Sequence, residues 1–177
     1  MSIVEKHIFG WRVIDMSPAI THCVICVAPH TSNWDFVVGH LACYSLGRRM
    51  HFLMKDAWFR GPLDKLFRRM GGIPVNRATA NGLTDYLASR FDSSDNFTLV
   101  ITPEGTRSAN AQWKTGFYHI AQKADVPLLL AYLDYETKEV CVSEPFVISG
   151  DIDADMTAIK NYFAPHKGKR PDSFKIN

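Results

Sequence analysis

His30 and Asp35 frame the segment Pro29-His30-Thr31-Ser32-Asn33-Trp34-Asp35. A neutral imidazole can take a proton from a hydroxyl as that hydroxyl attacks. A carboxylate on the other ring nitrogen would fix the tautomer and stabilise the imidazolium that forms. Ser32 and Asp35 also satisfy the capping-box pattern, in which the acidic side chain only closes a helix N-terminus. The two uses of Asp35 are compatible, because a first-turn carboxylate faces back toward the preceding loop. On a continuous helix, residues five apart lie about 140° from one another. The pair therefore needs a loop-to-helix transition, which Pro29 and Ser32 supply.

Two more blocks follow. In Thr102-Pro103-Glu104-Gly105-Thr106-Arg107-Ser108, Gly105 would let backbone amides approach an anion, Thr106 offers a hydroxyl, and Arg107 can clasp a phosphate with two donors. Alone, the block reads more readily as a turn carrying a surface arginine. Gly71-Gly72-Ile73-Pro74-Val75-Asn76-Arg77 ends in a second phosphate candidate, Arg77, whose alternative is a solvated loop residue.

Taken together and in this order, the three blocks resemble those of the glycerolipid acyltransferases of the lysophosphatidate acyltransferase type, over roughly residues 25–135. The resemblance implies a glycerol-3-phosphate acyltransferase-like fold. It also implies transfer of an acyl group from acyl-CoA or acyl-carrier protein to a hydroxyl of a lysophospholipid-like acceptor, with 1-acylglycerol-3-phosphate the leading candidate. His30 would be the base and Asp35 its partner, with Gly72, Arg77, Glu104, Gly105, Thr106 and Arg107 serving the acceptor. A thioester is already activated, so neither a metal nor a cofactor beyond the acyl carrier is expected. A nucleic-acid partner is not expected either. The fourth block of the family commonly carries two prolines, whereas Val126-Pro127-Leu128-Leu129-Leu130 keeps only the first. That departure bears on acceptor and chain-length preference rather than on the chemistry. A thioester or ester hydrolase using the same His–Asp pair, and a non-catalytic lipid- or RNA-binding module, are the competing readings.

The composition, 46% hydrophobic and 21% charged over 177 residues, is that of an ordinary globular chain. One domain over residues 1–177 is expected, with a frayed basic tail from about 166 to 177. Net charge is only +2, so attraction to anionic surfaces must come from clustering. Such a cluster runs from Arg48 to Arg77, where Arg49, Lys55, Arg60, Lys65, Arg68 and Arg69 interleave with Trp58, Phe59, Leu63, Phe67 and Met70. This mixture suits an interfacial surface on anionic lipid, a grip on RNA, or a helix with its apolar side in the core and its charges in water. With no leader and no spanning run in the sequence, the expectation is a cytoplasmic protein held peripherally at the inner face of the membrane. Cys23 and Cys26 form a Cys-x-x-Cys, but on a strand residues three apart point to opposite faces, so they are expected as core cysteines and not as metal ligands.

The elements that must position these residues read as α/β, a mixed sheet flanked by helices. Residues 3–14 suit a short amphipathic helix carrying Ile8, Phe9, Trp11 and Ile14. Strands are expected at 22–28, 51–54, 73–75, 97–102 and 126–133, with a hairpin over 135–143 around Thr137-Lys138. Helices are expected at 32–46 (stopped by Gly47), 63–70, 82–90, 113–123 and 151–163.

Overall fold

A computed structural model describes residues 3–76 and 82–176. Eight strands form one mixed sheet: β1 (Val4–Ile8), β2 (Trp11–Asp15), β3 (Cys23–Val27), β4 (Met50–Lys55), β5 (Gly72–Val75), β6 (Thr98–Ile101), β7 (Leu128–Asp134) and β8 (Glu139–Phe146). The helices are α1 (Asn33–Ser45), α2 (Asp64–Arg69), α3 (Leu83–Asp92), α4 (Gly116–Ala124) and α5 (Ile152–Phe163). The strand order is β1-β2-β8-β7-β3-β6-β4-β5. From β7 to β5 every neighbouring pair is parallel, whereas β8 runs antiparallel to β7 and β1 antiparallel to β2.

Strand β3 lies inside the sheet and is buried on both faces, as its unbroken apolar run requires. Val24, Cys26 and Ala28 face a core built with Phe91, Phe117, Ile120, Ile159 and Phe163 from α3, α4 and α5. Cys23 and Ile25 face the other side with Leu129, Ala131 and Val142. The two cysteines thus belong to different cores, and all four cysteines are free thiols. Among the described residues, no group of three or more His, Cys, Asp or Glu is arranged to hold a metal ion.

Two expectations fail at the chain's extremities. Residues 3–14 form the β1–β2 hairpin and not a helix. Ile8, Trp11 and Ile14 have helical spacing, but Phe9 and Gly10 both take positive φ (45° and 79°), the two-residue turn that matches strand twist. The sheet then offers β2 a partner, β8, in parallel register from Arg12↔Glu139 to Asp15↔Val142. The tail is not frayed either. Tyr135 N–H donates to Lys167 O at 2.8 Å and Arg170 N–H to Thr31 Oγ1 at 3.1 Å. Trp113 Nε1 donates to Lys175 O at 3.0 Å, and Phe174 and Ile176 pack against the main core. Burying those two side chains outweighs the entropy of ordering a basic segment whose charged ends stay in water.

Candidate active site

Parallel strands align their carboxyl ends, and the register here brings distant loops level. Cys26 pairs with Ile101, and Val27 with Ala131. His30 therefore emerges beside Glu104, and Tyr135 rises level with Thr31, at the sheet edge where α/β folds place ligands. A cis Ala28–Pro29 peptide turns the chain out of β3.

His30 Nδ1 lies 3.4 Å from Asp35 Oδ2. That is a long contact, of the kind that tightens when a catalytic complex forms. The same oxygen accepts from Thr31 N–H and Ser32 N–H, both at 2.7 Å, while Oδ1 accepts from the Tyr135 hydroxyl at 2.8 Å. The reciprocal capping box forms as well, Ser32 Oγ accepting from Trp34 N–H at 3.2 Å. One carboxylate thus closes the helix and lies against His30: the cap seats the helix and turns the acid toward the ring. Burial pushes the Asp35 carboxyl upward, but the bonds from His30, Ser32, Tyr135 and Thr31 outweigh it and hold it below its ordinary range. Burial and the bond to Asp35 push the Tyr135 hydroxyl up, so it stays a donor. The His30 side chain is 17% exposed.

Glu104, expected among the acceptor-binding groups, is instead buried under the His30 loop at 2% exposure. Its Oε1 accepts from His30 N–H at 2.9 Å, and its Oε2 is buried without a hydrogen-bond partner. Burial, helped by the Asp35 charge and opposed by the His30 bond, raises its pKa to about 8. Gly105 takes φ 66°, where an L side chain is strained. The Lys114 side chain crosses it, with Cε 3.1 Å from where a Cβ would stand. Thr106 and Arg107 are exposed at this turn.

Gly72 is not brought to the site. It is buried in β5, where a Cβ would stand 2.8 Å from Phe67 O, so its role is to let α2 close on the strand. Arg77 lies outside the described residues. The basic stretch is also partly dismantled. Arg48 is a core residue whose Nε and Nη2 reach Asp15 at 2.6 and 2.9 Å. Arg60 pairs with Asp56 at 2.8 Å and Arg68 with Asp64 at 2.7 Å, leaving Arg49, Lys55, Lys65 and Arg69 exposed without such pairs among the described residues.

Three contributors were missed from sequence: Tyr135, Lys114 and the tail. Tyr135 lies 100 positions from Asp35 and only strand order joins them. Its one legible signal is its place just past the buried run of β7. Beside it an open groove of about 490 Å³ runs between the hairpin and α1, its wall including Phe9, Trp11, Trp34, Leu41, Tyr135 and Lys169.

A family model described as Acyltransferase matches residues 12–132 of the chain. Comparison with curated proteins gave no match. Among the described residues, no helix is long and apolar enough to cross a membrane.

Proposed function

The chain belongs to the acyltransferase family, and from that membership we propose that it moves an acyl group from acyl-CoA or acyl-carrier protein to a hydroxyl of a lysophospholipid-like acceptor, 1-acylglycerol-3-phosphate first among candidates. The observation that carries the mechanism is the His30–Asp35 contact, with every other bond to Asp35 coming from a fixed donor. With Nδ1 facing Asp35, Nε2 takes the acceptor's proton as its oxygen attacks the thioester carbonyl. The tetrahedral adduct collapses, the C–S bond breaks, and His30 returns the proton to the departing thiolate.

The adduct's oxyanion needs donors. The amides of His30, Thr31, Ser32, Trp34 and Asp35 are all engaged within the chain. Gly105 N–H is engaged as well, with Thr102 O at 3.3 Å, so oxyanion stabilisation is assigned to the exposed Thr106–Arg107 part of that turn, with Lys114 crossing Gly105 beside it. Arg107, exposed on that turn, and Arg77 would hold the acceptor's phosphate, which matches the planar fork of a guanidinium. Peripheral contact with anionic membrane at the cytoplasmic side would bring enzyme and acceptor together.

An acceptor panel with labelled acyl donor, read by lipid mass analysis and by free thiol, tests the proposal. Thiol released only when a lysophospholipid is present, with matching diacyl product, is the expected result. Thiol released equally without acceptor would make the protein a hydrolase, and lipid binding without any thiol a non-catalytic module.

A further inference from the structure

Phe9 combines two unfavourable features that the fold does not explain. It is a bulky side chain at φ 45°, and it is 89% exposed at the tip of the β1–β2 hairpin. It does not stand alone. Trp34, Val37, Leu41 and Tyr44 form an exposed row along α1, at 56, 40, 38 and 80% exposure, with the spacing of one helix face. Lys6 Nζ donates to Ser45 O at the end of α1, tying the hairpin to that helix. The groove between the two joins Phe9 to Trp34 and Leu41. At its inner end the tail lays Lys169 Nζ 4.9 Å from the centre of the Trp34 ring, with exposed Lys167 and Arg170 alongside.

We propose that this face, the hairpin tip with the outer row of α1 and the basic tail beside it, is the surface on which the protein sits on an anionic bilayer. The proposal rests on the acyltransferase reading and gives its membrane contact a place. Large aromatic and aliphatic side chains flanked by lysine and arginine are the composition of an interfacial surface. Tryptophan and tyrosine favour the headgroup level, where one end is apolar and the other wet. The face is continuous with the site: Trp34 precedes Asp35 on the same turn, and Tyr135 lines the groove while bonding Asp35. A bilayer here would present its lipids to His30. The rival surface around α2 also exposes Trp58, Leu63 and Leu66 with Lys55, Lys65 and Arg69 among them, but Arg60 and Arg68 there are paired with aspartates and none of these residues lines the groove that Tyr135 shares.

The test compares Trp34→Phe, Trp58→Phe and Phe9→Asn, all at exposed positions, in the full chain. Asparagine also tolerates the turn conformation that Phe9 adopts. With phosphatidylcholine–phosphatidylglycerol vesicles carrying brominated acyl chains, tryptophan quenching should persist in Trp58→Phe and fall in Trp34→Phe to what Trp11 in the groove contributes. Phe9→Asn should weaken vesicle binding by about tenfold, the order expected when one large apolar side chain loses its burial. High salt should weaken it further. Transfer to a short-chain acceptor below its micelle concentration should be unchanged in Phe9→Asn. Quenching that follows Trp58, or no vesicle binding at low salt, overturns the proposal. A vesicle-independent dimer abolished by Phe9→Asn overturns it too, because the face would then be covered by a second copy. If vesicles bind as described but no acceptor is acylated, the acyltransferase reading fails while the docking surface stands.

Discussion

Asp35 accepts from the Thr31 and Ser32 amides and the Tyr135 hydroxyl and lies 3.4 Å from His30 Nδ1, so its orientation is determined before any substrate arrives. His30→Ala should lower turnover by at least about 100-fold without unfolding the chain, the usual size for losing a general base. Asp35→Asn should cost a comparable order by disturbing the tautomer, and it should also lower thermal stability, because the cap depends on the same carboxylate. Tyr135→Phe removes one donor from a charged acceptor, a loss of about 1.5–3 kcal/mol in such bonds. Its kcat should fall more than its KM changes. A kcat that does not move would make Tyr135 a packing residue only. Glu104 yields a separate signature. Its folded pKa of about 8 lies above the ordinary 4.5, so the folded chain binds the proton more tightly than the unfolded one. Stability from this group is full below about pH 4.5 and is lost as pH rises through about 8. Thermal melts across that window should show the decline in the wild type and a flatter profile in Glu104→Gln, which keeps an acceptor for His30 N–H.

At the scale of elements, the Arg48–Asp15 pair fastens β2 to the segment between α1 and β4, with Arg48 also donating to Ile20 O and Ser17 O. Arg48→Met leaves a buried carboxylate without its counter-charge and should destabilise by about 3–5 kcal/mol in urea unfolding. Replacing Asp15 by Leu in the same chain should recover much of that loss. This pair also marks where the sequence stopped being legible. Arg48 sits in a run of basic residues and reads as surface, since nothing local says that Asp15 waits for it 33 positions away. Helices α1 and α5 and the inner strands were readable because caps, apolar runs and glycine stops act within a few residues. The 3–14 segment was misread because its apolar spacing fits a helix, while the deciding facts were the Phe9-Gly10 turn and a partner strand more than a hundred residues on. In the site, His30 and Asp35 were legible as a local motif. Tyr135 and the under-loop position of Glu104 were not, because both follow from strand register.

Across the whole molecule, the two ends of the chain meet the site differently: the hairpin sets Trp11 edge-on against Tyr135, 4.9 Å between ring centres, and the tail lies on the loop that carries His30. The tail reaches it from one side: a Cβ on Gly168 would stand 2.7 Å from Thr31 Oγ1 and 3.1 Å from Pro29 Cβ. Gly168→Ala should therefore push the tail off that loop, costing about 1–3 kcal/mol of overpacking. In a chain of this size that lowers Tm by roughly 2–4 °C per kcal/mol. Activity should fall with it, and differential scanning calorimetry beside a turnover assay reads both. The hairpin joins the sheet by pairing β2 with β8, Arg12 against Glu139, 127 positions later. That separation has a consequence in time. At about 5–20 residues per second of synthesis, β2 waits roughly 6–25 s on the ribosome for its partner, while the strands between them can already assemble around β3. A nascent chain arrested before Glu139 should then carry an N-terminal hairpin more sensitive to protease than in the full chain, because β2 has no β8 to pair with.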